Sequence, residues 1–274
     1  MAESLTDRPL SRSGVTTAPR RRSTAARAGL PQALVAEWTK LRTVRSTMGT
    51  LTAMAAATIG TAALVAATAS LQPGESIVAG SLGNAVLGQV AAGILGVLVI
   101  CGEYGGRTIR ATIAAVPRRF TVLTAKAVVA AAVVMGVSLA ASLCAYGVGA
   151  VMLAGQGHPS GKPMPALVGI AVVHAAVAVL GVALGTAVRH AAGAITAVTA
   201  ILLVPTVLGP LLGNAGRWIN AASPMTAQQK IAHTSHAGLQ PLDGLGAWPT
   251  LWLICAGVGS ALAGSARLLR TRDV

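Results

Sequence analysis

Three places in this chain carry residues that could do chemistry: His174, an HxxH pair at His233 and His236, and the stretch GHPSGKP from Gly157 to Pro163. An HxxH pair holds zinc only with further acid, thiol or imidazole ligands, and no acid or thiol lies close to this one. GHPSGKP has the glycines and the lysine of a phosphate-cradling loop but is one residue short. Pro163 also stands where a Ser or Thr would hold magnesium. His174 is the only ionisable side chain near the middle of an apolar stretch, and the expected state is a neutral imidazole bonded to a neighbouring helix rather than a proton relay. The acids are Glu3, Asp7, Glu37, Glu75, Glu103, Asp243 and Asp273, all in tails, loops or the ends of apolar stretches. HExxH, GxSxG and paired carboxylates are missing. Cys101, Cys144 and Cys255 are scattered without a CxxC and read as small apolar fillers. The chain is expected to have no catalytic, cofactor or metal site of its own and not to be an enzyme.

Two segments carry more information than these residues. GEYGGRTIRATIAAVPRRFTVLTAK, from Gly102 to Lys126, opens with Glu103 and Tyr104 and passes through a Gly-Gly joint. Thr108, Ile109, Thr112 and Ile113 follow, with the two isoleucines on one helical face, and Pro117 ends the run before Arg118 and Arg119. A short helix there would be a docking surface for a cytoplasmic partner; a plain basic loop that fixes topology is the alternative. Upstream, Leu34, Trp38, Leu41 and Arg45 recur at helical spacing while Glu37, Lys40 and Arg42 lie off that stripe. The pattern predicts an amphipathic helix over 31–46 lying in a membrane interface.

The elements that position these segments are apolar. Hydrophobic residues make up 54% of the chain, and its mean hydropathy of +0.69 overrides the soluble-domain prior that length alone would give. Six windows without Asp, Glu, Lys or Arg (46–74, 76–102, 127–161, 163–188, 190–216 and 244–266) each exceed the roughly 20 residues a helix needs to cross hydrocarbon. The expected fold is all-α, with six transmembrane helices at about 48–70, 78–101, 127–153, 166–188, 191–212 and 248–266 within a membrane domain of 47–270. With an inward N-terminus, 18 of the 21 basic residues fall on one side, leaving only Lys162, Arg217 and Lys230 outside. That split follows the positive-inside rule and places both termini in the cytoplasm. The bases sit at span ends and in the tail without interleaved aromatics, so orientation and anionic lipid account for a pI near 11.5 better than nucleic acid does. Residues 1–30 are Arg-, Ser- and Thr-rich and are read as a disordered basic tail.

Small residues dominate the spans, which lets helix backbones approach closely. Gly181–Gly185 and Gly209–Gly213 are GxxxG pairs, each weak evidence for a contact among 32 glycines. Pro205 and Pro210 should kink or break the fifth span. The outer loop 213–247 is long enough for a short helix around Thr226–Ala232 that could dip toward the membrane.

AEWTKLRTVRSTMGTL (Ala36–Leu51) and EYGGRTIRATIAAVPRR…AK (Glu103–Lys126) resemble two segments of the membrane subunits of type-2 ABC exporters, and the six-span plan is similar over about 31–266. In that family the first segment is an elbow helix leading into span one and the second bears a coupling helix that contacts the ATPase. The family loop more often reads EYR-x-GT, whereas here Gly105 and Gly106 precede Arg107. The resemblance implies a bacterial inner-membrane permease for efflux. ATP and magnesium would sit on a separate cytoplasmic P-loop ATPase, and a second permease chain, identical or different, would complete the path. It implies coupling through Glu103, Tyr104, Thr108, Ile109, Thr112, Ile113 and Pro117, and an elbow bearing Glu37, Trp38, Lys40, Leu41, Arg42 and Arg45. The alternatives are an ion-coupled secondary carrier and a non-transporting membrane anchor or immunity protein. The kinked fifth span leaves room for the carrier, although no carboxylate lies deep in a span.

Overall fold

The computed structural model describes residues 29–105, 119–233 and 246–271. These form helices and connections with no strand among them. In chain order the helices are α1 (Leu30–Thr43), α2 (Arg45–Ala67), α3 (Ile77–Leu82), α4 (Val86–Gly105), α5 (Arg119–Met152), α6 (Pro163–Val188), α7 (Ala191–Leu208), α8 (Gly213–Ala221), α9 (Pro224–His233) and α10 (Ala247–Thr271), with a 3-10 turn at Gly209–Leu212. Six of them (α2, α4, α5, α6, α7 and α10) are long and apolar enough to cross a membrane. The chain is a multi-pass membrane protein.

The centre is α6. Its apolar window is 72% buried, against 17% for α7 and 22% for α10, so α6 is the axis and the last two spans lie at the periphery. Close approach of α4 to α6 depends on glycine. A methyl on Gly96 would overlap the carbonyl oxygen of Ala178, and one on Gly181 would overlap that of Gly93. Of the two GxxxG pairs, Gly181–Gly185 therefore lies in a helix contact. Gly209–Gly213 serves a different junction: Gly209 packs on Asn220 of α8, and Gly213 takes φ +53 where the 3-10 turn passes into that helix.

Several boundaries differ from those expected. The second span starts at Val86 rather than near 78, because Ser76 caps a separate short helix, α3, with its hydroxyl accepting from the Ala79 N–H at 3.2 Å. Gly83 and the exposed Asn84 then interrupt the helix. The helix that carries the third span is already formed at Arg119, ahead of the expected 127. Its 34 residues rise about 51 Å at about 1.5 Å each, well beyond a hydrocarbon core of about 30 Å. Lys126 consequently belongs to a helix and not to the end of a loop. The fifth span stops at Leu208, four residues early, with Pro205 inside its last turn and Pro210 in the 3-10 turn that follows. Within 213–247, α9 forms where a short helix was expected, and it is buried.

GHPSGKP forms a turn tied to the residues that open α3. The Ile77 N–H donates to the Pro159 carbonyl at 3.0 Å, and His158 Nδ1 lies 3.2 Å from the Glu75 carbonyl. Helix connectivity puts this turn at the end of the bundle opposite α1. In a background lacking Cys101, Cys144 and Cys255, a cysteine at the exposed Ser160 is expected to react with a membrane-impermeant thiol reagent added to intact cells. One at Thr112, which lies outside the described residues, should react only after permeabilisation. Labelling of Thr112 from outside would overturn the inside-positive orientation.

Candidate functional site

Four charged side chains meet where α1 packs against the membrane bundle. Helix α1 carries Glu37 and Lys40 one turn apart, the last turns of α4 carry Glu103, and the second turn of α5 carries Lys126. Lys40 Nζ lies 3.0 Å from Glu37 Oε1 and 2.6 Å from Glu103 Oε1. Lys126 Nζ lies 2.6 Å from Glu37 Oε2 and 2.8 Å from Glu103 Oε1. The charges thus close a ring of alternating sign with no net charge. Lys126, Glu37 and Glu103 side chains are 1%, 5% and 10% exposed, and Lys40, at 44%, is the only member that reaches solvent freely. Burying single charges is costly, and a buried pair is recovered only with good geometry and further hydrogen bonds. Here every charge has two opposite neighbours.

The ring explains why α1 docks as it does. Its buried positions are Ala33, Glu37 and Leu41, an i, i+4, i+8 stripe. The sequence stripe of Leu34, Trp38, Leu41 and Arg45 shares only Leu41 with it. Trp38 is 47% exposed and stacks with Arg42, whose guanidinium carbon is 5.7 Å from the ring centroid. Glu37, placed by its polarity on the outer face, faces inward because Lys126 draws it there. The helix stops at Thr43, and the extended Val44 turns the chain into Arg45, the first residue of α2. Burial on its own would lower the Lys40 pKa, but hydrogen bonds to Glu103 and Glu37 outweigh it and hold the ammonium above the ordinary 10.5. This contribution to docking is therefore complete at neutral pH and is lost only as pH climbs through that raised value.

Of the proposed coupling residues, Glu103 enters the ring, and Tyr104 next to it lies beneath Arg189, whose guanidinium carbon is 5.9 Å from the ring centroid. Thr108, Ile109, Thr112, Ile113 and Pro117 lie outside the described residues, as does the basic tail before Gly29. Glu37, Lys40 and Leu41 all contribute to one cavity of about 420 Å³, also lined by Val44, Leu98, Val99, Gly102, Glu103 and Lys126. Sequence reasoning missed Lys126 as a site residue. The available signal was a lysine seven residues past Pro117-Arg118-Arg119, at the head of an apolar helical pattern.

A second polar feature lies deeper and is complete. Gln228 of α9 donates its Nε2 hydrogen to the Leu82 carbonyl at 3.0 Å, which turns its Oε1 toward His174 Nε2 at 3.1 Å. His174 Nε2 must then carry the proton. Nδ1, 2.7 Å from Ser138 Oγ, accepts from that hydroxyl. The fully buried imidazole is bonded to neighbouring helices on both nitrogens, the helix-to-helix bonding expected of a histidine isolated in an apolar stretch. It fastens α9 and α3 to α5 and α6.

Among the described residues no three His, Cys, Asp or Glu side chains are grouped to hold a metal ion. His233 Nε2 comes within 4.0 Å of Glu75 Oε1, with no third ligand type beside them. Compared with known proteins, the chain matches no protein-family model and no curated protein.

Proposed function

We propose that this chain is the permease subunit of an ATP-driven exporter of the type-2 ABC kind, working with a separate cytoplasmic P-loop ATPase and a second permease chain. One observation carries the reading: the charge ring fastens α1 to the ends of α4 and α5 that flank residues 106–118. A partner pressing on that segment or on α1 moves the inner ends of three helices as one unit. Helix α1 then acts as the interfacial elbow, and the 106–118 segment as the coupling contact. The phosphate-loop-like stretch GHPSGKP is an anchored turn with Pro163 where a Ser or Thr would hold magnesium, which supports a reading with ATP and magnesium on the partner. Its spans offer helix packing and an apolar surface for lipid, in a bacterial inner membrane with both termini cytoplasmic. The protein is a transducer and a path, not a catalyst.

The test is co-purification of the full chain with a P-loop ATPase from the membranes of its source. Ile109→Asp places a charge in the proposed contact and leaves all four residues of the ring unchanged. An uncompensated charge buried in an interface costs a few kcal/mol, and about 1.4 kcal/mol is tenfold in affinity. The variant should insert normally and lose at least tenfold of the ATPase recovered. Recovery equal to that of the wild type would overturn the coupling role of 106–118. Absence of any ATPase from wild-type preparations would overturn the exporter reading.

A further inference from the structure

We infer that the flank of α1 carrying Trp38 and Arg42 is a binding surface for an anionic phospholipid of the leaflet it borders. The docked stripe of Ala33, Glu37 and Leu41 divides the rest of the helix into two unlike sectors. By helical spacing Leu34, Val35, Trp38 and Arg42 fall together on one side, and Gln32, Ala36, Thr39 and Thr43 on the other. The second sector is small or polar and suits water. The first passes from apolar to basic: Val35 is 67% exposed and Trp38 47%, and the exposed Arg42 holds its guanidinium carbon 5.7 Å from the Trp38 ring centroid. Just past the Val44 joint, Arg45 is exposed as well. Beside the start of a span, such a set fits the bilayer interface. The apolar groups meet acyl chains, the indole sits at headgroup level, and the guanidinium reaches phosphate. Charge then selects an anionic headgroup. Among the described residues the only acids at this end of the bundle are Glu37 and Glu103, and each already contacts both ring lysines. Arg42 and Arg45 therefore present two positive charges that no carboxylate among the described residues neutralises. A guanidinium lying over an indole keeps its in-plane N–H donors for phosphate oxygens. A soluble anion would gain the charge but leave Val35 and Trp38 uncovered; a lipid answers both. The ring and the lipid grip different sides of α1, so headgroup charge bears on how α1 is held without touching Glu37 or Glu103.

An exporter, a carrier or an anchor would carry this surface equally, since it needs only a chain in a membrane. Trp218→Phe, Trp248→Phe and Trp252→Phe leave Trp38 as the only indole, and all three replaced rings are exposed. The full chain so altered is placed in phosphatidylcholine nanodiscs with an equal minor fraction of brominated phosphatidylglycerol or brominated phosphatidylcholine, the bromines near the headgroup end of the chains. Quenching of Trp38 reads which lipid lies beside it. The expected result is at least a threefold preference for phosphatidylglycerol. The preference should vanish in Arg42→Gln with Arg45→Gln while quenching by brominated phosphatidylcholine is kept, which shows α1 still in the interface and only the headgroup choice lost. Equal quenching by both lipids with the arginines in place would overturn the site. An undiminished preference in the double variant would do so too, by assigning the preference to diffuse charge. A double variant quenched by neither lipid would make the two arginines anchors of α1 and not selectors of a headgroup, which also overturns it. Quenching by aqueous iodide in place of lipid would put the flank in water, and protection from both would mean that protein covers it; either defeats the proposal. So would loss of the preference on adding soluble glycerol phosphate, which would make the ligand a free phosphate.

Discussion

Lys126→Met should be among the most damaging single substitutions in this protein. Methionine keeps most of the volume of a side chain that is 1% exposed, so the change removes charge rather than packing. Glu37 and Glu103 are then left with Lys40 alone, which already contacts both, and the buried group carries a net negative charge. Breaking a buried pair by deleting one partner costs about 3–5 kcal/mol, or roughly two to three and a half powers of ten in an equilibrium constant. The readout is thermal unfolding in detergent, together with proteolysis or thiol labelling of a cysteine placed on α1, since α1 is held to α5 by this lysine. Unfolding should come at a clearly lower temperature and α1 should become accessible.

The double variant Lys126→Met with Glu37→Gln separates charge balance from shape. It leaves one Lys and one Glu, neutral as a set, and should recover most of the loss because the penalty came from an unpaired carboxylate. If Lys126→Met stays within about 1 kcal/mol of wild type, the ring is a geometric coincidence with no hold on α1. If the double variant is worse than the single, the pairing of Glu37 with Lys40 matters more than the balance of charge.

How the ring escaped a reading of the sequence is a matter of range. Span positions follow from local composition, since an uncharged apolar window is long enough to cross hydrocarbon or it is not; all six were legible. Their ends depend on features that composition averages away. Ser76 and Gly83 cut α3 from α4, and α5 runs back past Lys126 because RFTVLTAK, from Arg119 to Lys126, holds no Gly or Pro to stop a helix. On α1, periodicity assigns an acid to the outer face, and Glu37 obeys instead a lysine 89 residues away. No local pattern encodes that pairing. Glu103 was legible as a site residue only through the resemblance to a family loop. The apolar span that holds it gives no hint that both lysines would converge on the same oxygen.

Glycine on α4 gives the second large effect, and with a sign that position alone decides. Gly96 and Gly257 are both helix-interior glycines in spans. At Gly257 an added methyl meets nothing within 4 Å, so Gly257→Ala should be neutral or slightly stabilising, by up to about 1 kcal/mol from helix propensity. At Gly96 the same methyl runs into the carbonyl oxygen, carbon and Cα of Ala178. These are backbone atoms of the most buried span, which no rotamer change can move aside. Relief requires α4 and α6 to separate, opening the contact that also brings Gly181 against Gly93 and Gly185 against Ile100. Overpacking a core typically costs about 1–3 kcal/mol; with backbone as the obstacle, Gly96→Ala should reach the top of that range and Gly96→Leu exceed it. Thermal unfolding of the two alanine variants beside wild type measures the contrast directly. Equal stability of Gly96→Ala and Gly257→Ala would mean that α4 and α6 do not approach as closely as the packing of Gly96 on Ala178 requires. The central axis of the bundle would then have to be redrawn.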